Sequence, residues 1–171
     1  MPLIYVRETA AADLEFVLGL ESAPDNRSFV GVWSREEHLA FLSGAGNAHR
    51  LLFDGRDDRP VGYFLLSGLD SPHRSIELKR IVIRPKGLGL GRAALKLVKR
   101  IAFESLGAHR LWLDVFLFNH RARHLYASEG FIPEAVLREC VLRDGRYESL
   151  QVMSLLEREY RSSVDRTETD R

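Results

Sequence analysis

Ile81-Val82-Ile83-Arg84-Pro85-Lys86-Gly87-Leu88-Gly89-Leu90-Gly91-Arg92-Ala93-Ala94-Leu95 is the stretch that decides the fold. A β-branched run enters a loop with glycine at every second position, and a helical pattern begins directly after it. Ala94, Leu97, Val98 and Ile101 recur at i, i+3, i+4 and i+7, which predicts a helix over about 91–105. Glycines let a backbone turn tightly and bring its N–H groups against a ligand. A helix start adds unpaired N–H donors and the positive end of its dipole, so the segment suits a phosphate. A tight strand-to-helix turn with no ligand would need much the same residues.

Outward from this stretch the apolar period alternates between strand and helix, which predicts a single α+β domain. Strands are expected at Leu3–Arg7, Arg50–Asp54, Val61–Leu69, Ile76–Ile83 and Leu111–Phe118. Helices are expected from Thr9 or Asp13 to about Glu21, over 35–42 behind the capping box Ser34-x-x-Glu37, and over Asn119–Glu129. Glu134–Leu142 and Tyr147–Leu156 read as a hairpin turning at Asp144-Gly145. The segment 24–34 reads as a loop, although Phe29, Val30, Val32 and Trp33 make it unusually apolar. The domain is expected to span 1–160, with 161–171 a polar, disordered tail.

Composition narrows the class. The 171 residues carry 25 Lys+Arg against 24 Asp+Glu, with 45% hydrophobic residues, enough for one sizeable core. No apolar run approaches a membrane span, and near-neutral charge argues against a global nucleic-acid binder. Residues 1–8 lack the pattern of a secretory leader, and the single Cys140 excludes a disulfide framework or multi-Cys zinc site. A cytoplasmic protein without membrane or nucleic-acid partners is the expectation. Cys140, in an apolar strand, is expected to be an inert buried thiol. His120 and His124 stand i, i+4 apart but lack a third ligand, so no metal is expected.

Three phosphate-binding patterns compete for the glycine loop. A P-loop needs Lys-Ser or Lys-Thr after its glycines, and none follows here. Gly89-x-Gly91-x-x-Ala94 matches the G-x-G-x-x-A dinucleotide fingerprint, with Asp114 downstream, and would make the protein a dinucleotide-dependent oxidoreductase. That fold wants the unit at the head of a doubly wound parallel sheet, whereas hairpin-like strands precede it here. The third pattern fits best. Lys86-Gly87-Leu88-Gly89-Leu90-Gly91 resembles the [RQ]-x-x-G-x-[GA] pyrophosphate loop of the GNAT superfamily of N-acetyltransferases. Asn119-His120-Arg121-Ala122-Arg123-His124-Leu125-Tyr126-Ala127-Ser128-Glu129-Gly130-Phe131 resembles that family's second signature, N-x-x-A-x-x-x-Y-x-x-x-G-F. Lys86 stands where Arg or Gln is usual, and Pro85 directly before it shortens the usual spacing by two residues.

The resemblance implies a mixed, mostly antiparallel sheet flanked by helices, with acetyl-CoA as co-substrate where the 76–83 and 111–117 strands diverge. It assigns cofactor contacts to Ile81, Val82, Ile83, Lys86, Gly87, Leu88, Gly89, Leu90, Gly91, Arg92, Asn119 and Arg121. The oxyanion donor would be a backbone N–H of the Ile81–Ile83 strand. Tyr126 would protonate the leaving thiolate; it could equally be a core aromatic. Asn119 would touch the pantetheine arm, and it also suits an N-cap. Glu77 and Asp114 are equal candidates for the base, Glu77 sharing a face with Lys79, Ile81 and Ile83 if period two holds, and either could be a plain surface carboxylate. Phe131–Arg138 resembles the G-F-x-x-E-G-x-L-R stretch of the ribosomal-protein alanine and small-amine subgroup, with Ala135 in place of Gly. Phe29–Trp33 matches the acceptor-lining segment.

The expected reaction is direct acetyl transfer to a primary amine: a protein N-terminus, a polyamine or a small amine. A non-catalytic CoA-binding sensor is the alternative. The resemblance also implies a homodimer through C-terminal strands. Charge is distributed accordingly. Between Lys79 and Phe103 lie eight basic residues and no acidic one, leaving 17 basic and 24 acidic in the remainder. A polyanion would be drawn to the helix that starts at the glycine loop.

Overall fold

The computed structural model describes the backbone of residues 3–169 and side chains as far as 165. Seven strands form one sheet in the order β1-β2-β3-β4-β5-β7-β6. They are β1 (Ile4–Glu8), β2 (Ala48–Asp54), β3 (Arg59–Ser67), β4 (Ser75–Ile83), β5 (Arg110–Phe116), β6 (Ile132–Arg143) and β7 (Arg146–Leu156). Every neighbouring pair is antiparallel except β4 and β5. The sheet is therefore mixed and mostly antiparallel, as expected, and not the doubly wound parallel sheet that a dinucleotide fingerprint requires.

Helices cover both faces of the N-terminal half. On one face α4 (Leu90–Arg100) buries Leu90, Ala94, Leu95 and Val98 against Phe64, Leu66, Leu111 and Leu113. On the other, α1 (Leu14–Ser22) sets Leu14, Val17 and Leu20 against Leu51, Tyr63, Leu65 and Val82. With apolar layers on both sides, β3 is buried continuously from Val61 to Leu66, the pattern of a two-faced strand and not of an alternating one. Burial on this scale supplies most of the folding free energy, at about 25 cal/mol per Å² of apolar surface.

Several local expectations hold. The capping box is present before α3 (Arg35–Ser43): the Glu37 N–H donates to Ser34 Oγ at 3.1 Å, and the Ser34 N–H donates to Glu37 Oε2 at 2.6 Å. The hairpin turns at Asp144 (φ 48°) and Gly145 (φ 75°), the paired positive φ of a tight two-residue turn. Other elements differ. The segment expected as a loop contains a short helix, α2 (Pro24–Arg27), opened by Pro24 at a position that needs no N–H. The helix after the glycine loop widens at Ile101 into a π-helical turn, Ile101–Ser105. The segment expected as a polar tail from 161 is helical to Thr169 within α6 (Glu157–Thr169); residues 170 and 171 lie outside the described residues. Tyr160 anchors α6 by stacking on Phe103 at 4.8 Å, and its hydroxyl donates to Glu104 Oε1 at 2.6 Å. Cys140 is exposed, not buried, because β6 is the outermost strand and no layer covers it. No helix among the described residues is long and apolar enough to cross a membrane.

Candidate active site

β4 and β5 pair only from Ser75 to Glu77 against Arg110 to Trp112, and beyond that they separate. The separation opens a cavity of about 870 Å³ bounded by β4, β5, the glycine loop, α5 (His120–Ser128) and the α2 segment. A mixed sheet splayed at its one parallel pair thus forms a cleft through its middle.

β4 is irregular at the mouth of this cleft. Arg80 pairs with Leu65 and Leu78 with Leu66, so Lys79 is an extra residue opposite no partner, a β-bulge. The bulge reverses the alternation of side chains. Before it, Ile76 and Leu78 face the α4 side; after it, Ile81 and Ile83 do, while Arg80 and Val82 face α1. The expected common face of Glu77, Ile81 and Ile83 is therefore broken: Glu77 lies on the face opposite the two isoleucines. Its carboxylate accepts from Ser67 Oγ at 2.8 Å and stands 3.8 Å from Lys79 Nζ, outside the cavity lining. Asp114 does line the cavity.

The backbone of β4 is oriented by the same pairing. The Arg84 N–H donates to the Val61 carbonyl at 2.7 Å, so alternation points the N–H groups of residues 82 and 84 at β3. Those of Ile81 and Ile83 then turn toward the opening left by β5. β3 approaches β4 closely here. A Cβ on Gly62 would meet the Val82 carbonyl at 2.2 Å, so only glycine fits.

At the other end of the cavity, Gly89 caps α4 with φ 75°, a left-handed conformation natural to glycine. No side chain caps this end, so the first N–H groups of α4 remain available to an anion. Gly87, Gly91, Arg92 and Arg121 line the cavity beside it. Leu88 is exposed outside the lining, and Leu90 is buried in the core, so neither side chain meets a ligand there. Arg92 Nη1 donates to Glu129 Oε1 at 2.5 Å. Lys86 lines the mouth, but its ammonium donates to the Asp25 carbonyl and lies 5.7 Å from the Phe29 ring centre. Burial pushes its pKa down.

Asn119 caps α5, with Oδ1 accepting from the Ala122 N–H at 3.2 Å, and also lines the cavity. Tyr126 lines it from α5, its ring 5.9 Å from Phe131. Burial, with the nearby Asp114 charge, pushes the phenol up to about 12, so it is a protonated donor at neutral pH. Asp114 makes no hydrogen bond or ion pair among the described residues. Desolvation and then the Glu77 charge raise its pKa, against the opposing pull of Lys79. One cavity thus holds a carboxyl shifted toward neutrality, a phenol fixed as an acid, and free backbone N–H donors. No group of three His, Cys, Asp or Glu side chains suited to a metal is found among the described residues.

Sequence reading missed Glu21 and Arg80. Glu21 is fully buried at the end of α1, and Arg80 reaches it from β4. A charged residue in an apolar helix pattern was the one available signal for Glu21. Arg80 could be placed on that face only with knowledge of the bulge.

A mixed sheet cleft at its parallel pair, with an uncapped helix start on one side and Asp114 and Tyr126 on the other, is an arrangement suited to an acyl-CoA-dependent acyltransferase. Residues 17–131 match the acetyltransferase (GNAT) family model, and the chain belongs to that family, the acetyl-CoA-dependent N-acetyltransferases. The spermidine N(1)-acetyltransferase of Vibrio cholerae serotype O1 is 28% identical over 91% of this chain and 94% of its own length. The Escherichia coli K12 spermidine N(1)-acetyltransferase is 27% identical over 92% and 88%. Among solved structures, the V. cholerae enzyme in complex with CoA and spermine aligns with TM-score 0.82 at 25% identity, covering 92% of this chain and 97% of that one. A dodecameric form of the same enzyme aligns with TM-score 0.77 at 26% identity, covering 92% and 95%.

Proposed function

We propose that the protein moves an acetyl group from acetyl-CoA directly to a primary amine in a ternary complex. Asp114 takes a proton from the ammonium, since an alkyl amine of pKa about 10.4 is unreactive until neutral. The amine nitrogen then bonds to the thioester carbonyl carbon. The resulting oxyanion is met by the N–H of Ile81, donors of this kind being worth about 10²–10³ in rate. As the C–S bond breaks, Tyr126 gives its proton to the leaving thiolate. The amide and CoA–SH are the products. The pyrophosphate is held by the α4 start with Arg92 and Arg121. The base falls to Asp114 rather than Glu77 because Glu77 is absent from the cavity lining and is engaged by Ser67 and Lys79. The observation that carries this reading is that Asp114 and Tyr126, shifted in the directions a base and an acid need, share one cavity with the glycine-loop helix start.

A polyamine is the first acceptor to try, because two relatives are spermidine acetyltransferases; a small amine and a peptide N-terminus follow. The protein works as a homo-oligomer. The outermost strand and its hairpin partner expose Ile132, Val136, Leu137, Leu142 and Tyr147, and a similar enzyme is dodecameric. Two measurements test the reading: thiol release from acetyl-CoA across spermidine, a small amine and a peptide N-terminus, and thermal shift with acetyl-CoA, CoA and NADH. Amine-dependent thiol release with stabilisation by both CoA species is expected. Stabilisation by CoA without release from any amine would favour a sensor, and a response to NADH alone would defeat both.

A further inference from the structure

The best-organised group of polar side chains in the protein takes no part in the chemistry above. Glu21, on α1, is 0% exposed. Its Oε1 accepts from the Tyr63 hydroxyl and from Arg80 Nη1, and its Oε2 from the Trp33 N–H at 2.9 Å. His38 Nε2 stands 3.1 Å from Oε1, off the hydrogen-bond line. Behind it, His38 Nδ1 is 3.2 Å from His49 Nε2, and His49 Nδ1 is 2.9 Å from Thr9 Oγ1. The Arg80 guanidinium lies 4.5 Å over the Trp33 ring and lines the cavity wall. A buried ion pair contributes little net stability once desolvation is counted, so its main consequence is geometric.

That geometry bears on β4. Arg80 is the first residue after the Lys79 bulge, and it faces α1 only because the bulge shifts the alternation by one residue. Without the shift, Arg80 would point into the apolar layer under α4, every later side chain of the strand would exchange faces, and every later N–H would turn to the opposite edge. Ile81 would then present its N–H to β3 and not to the cleft.

We infer that the buried Glu21–Arg80 pair is a positioning device that locks the β4 bulge in register and so aims the Ile81 N–H at the reacting carbonyl. The inference rests on the acetyl-transfer reading. Glu21 touches no substrate; it acts through Arg80 and the strand. Its effect should therefore be largest on the step in which a carbonyl becomes an oxyanion. CoA lacks the thioester carbonyl and is held at the α4 start as well as along β4, so its binding should change less and serves as the comparison.

Glu21→Gln keeps the shape and removes the charge; Arg80→Lys keeps the charge and shortens the fork. In the full-length protein, Glu21→Gln is expected to lower kcat about tenfold or more, within the range of a lost oxyanion donor. The Kd for CoA by calorimetry should change less than kcat, since the pyrophosphate end at the α4 start is remote from the bulge. Arg80→Lys should fall between wild type and Glu21→Gln. Amide hydrogen exchange over 79–83 should rise in Glu21→Gln, a readout that needs no turnover. A Glu21→Gln variant with wild-type kcat and unchanged exchange over 79–83 would overturn the inference while leaving acetyl transfer standing. CoA affinity falling in step with kcat would overturn it too, because the pair would then be holding the whole site together. A wild-type protein that transfers acetyl to no amine defeats both readings.

Discussion

Glu21 and Asp114 are carboxylates on the same side of the sheet, and their surroundings push them in opposite directions. Both lose water. Around Glu21, desolvation is outweighed by His38, Arg80, Tyr63 and the Trp33 N–H, and the carboxyl sits below its ordinary range. Around Asp114 no donor compensates, and desolvation with the Glu77 charge raises it. A buried carboxylate surrounded by donors is fixed as an anion and can only hold structure. One that lines a cavity without donors retains affinity for a proton and can exchange it. The contrast separates scaffold from chemistry more sharply than burial alone.

The largest break of this contrast comes at Asp114. Asp114→Asn should lower kcat/KM for the amine by about 10²–10⁴, the usual range for a lost general base. Its effect on stability has the other sign. A carboxyl whose pKa is raised by folding costs stability at neutral pH, where it is ionised, so Asp114→Asn should melt at or above the wild-type temperature at pH 7. In wild type, kcat/KM should rise with pH through the Asp114 titration, and the variant should lose that limb. A melting temperature several degrees lower, with activity retained, would assign Asp114 to the scaffold.

Tyr126→Phe tests the acid that faces this base. It should lower kcat about 10²-fold while leaving the Kd for CoA unchanged, because the ring still packs on Phe131. An acetyl donor with a better leaving group, such as an aryl thioester of acetate, should be less sensitive to the change, since its thiolate leaves without needing a proton.

How much of this was legible follows from which forces act locally. The glycine loop, the Asn119 cap, the Ser34 box and the Asp144-Gly145 turn are set by residues within a few positions of one another, and all stand where the sequence puts them. The mixed sheet was legible through the resemblance of the two motifs. The β4 bulge was not, because no local property of Lys79 marks it as an extra residue; the partner that Arg80 meets, Glu21, lies 59 positions away. For the same reason the choice between Glu77 and Asp114 could not be read, since an unbroken period two would have put Glu77 with Ile81 and Ile83. Cys140 and the α6 segment were misread for a different reason. An apolar strand can lie at an uncovered edge, and a polar segment can be helical when one aromatic, here Tyr160, pins it.

The donor-rich side of the contrast also makes a prediction about pH. His49, 4% exposed, has its pKa lowered to about 4 by burial and then by the His38 charge. An unfolded chain takes up that proton near pH 6.5, and the folded one resists until about 4. The unfolded state therefore binds more protons across that window, and stability should fall as pH drops from about 6.5 to 4, by on the order of a few kcal/mol. Chemical denaturation at a series of pH values measures the slope. His49→Gln should flatten it within that window, and an unaltered slope would mean that other groups carry the acid sensitivity.

The smallest expected effect lies at the cofactor end, where one carboxylate serves two cations. Glu129, 8% exposed, accepts from Lys99 Nζ at 2.9 Å and from Arg92 Nη1 at 2.5 Å. The Lys99 side chain is 9% exposed and that of Arg92 is 45% exposed, so the two pairs differ in what breaking them costs. Lys99 balances the Glu129 charge, which leaves the Arg92 guanidinium aimed along the cavity wall with its positive charge available to a phosphate. Arg92→Gln should raise KM for acetyl-CoA roughly tenfold, the equivalent of one charge-assisted hydrogen bond of about 1.4 kcal/mol, and should leave kcat and the melting temperature close to wild type. The penalty should shrink with added salt, because the lost interaction is exposed. Glu129→Gln should do the reverse. It strands Lys99 as a buried cation without its counter-charge, so the melting temperature should fall by several degrees while KM moves less than in Arg92→Gln. If the two variants exchanged these signatures, Arg92 would be the structural cation, and the phosphate charge would have to come from Arg121 at the start of α5.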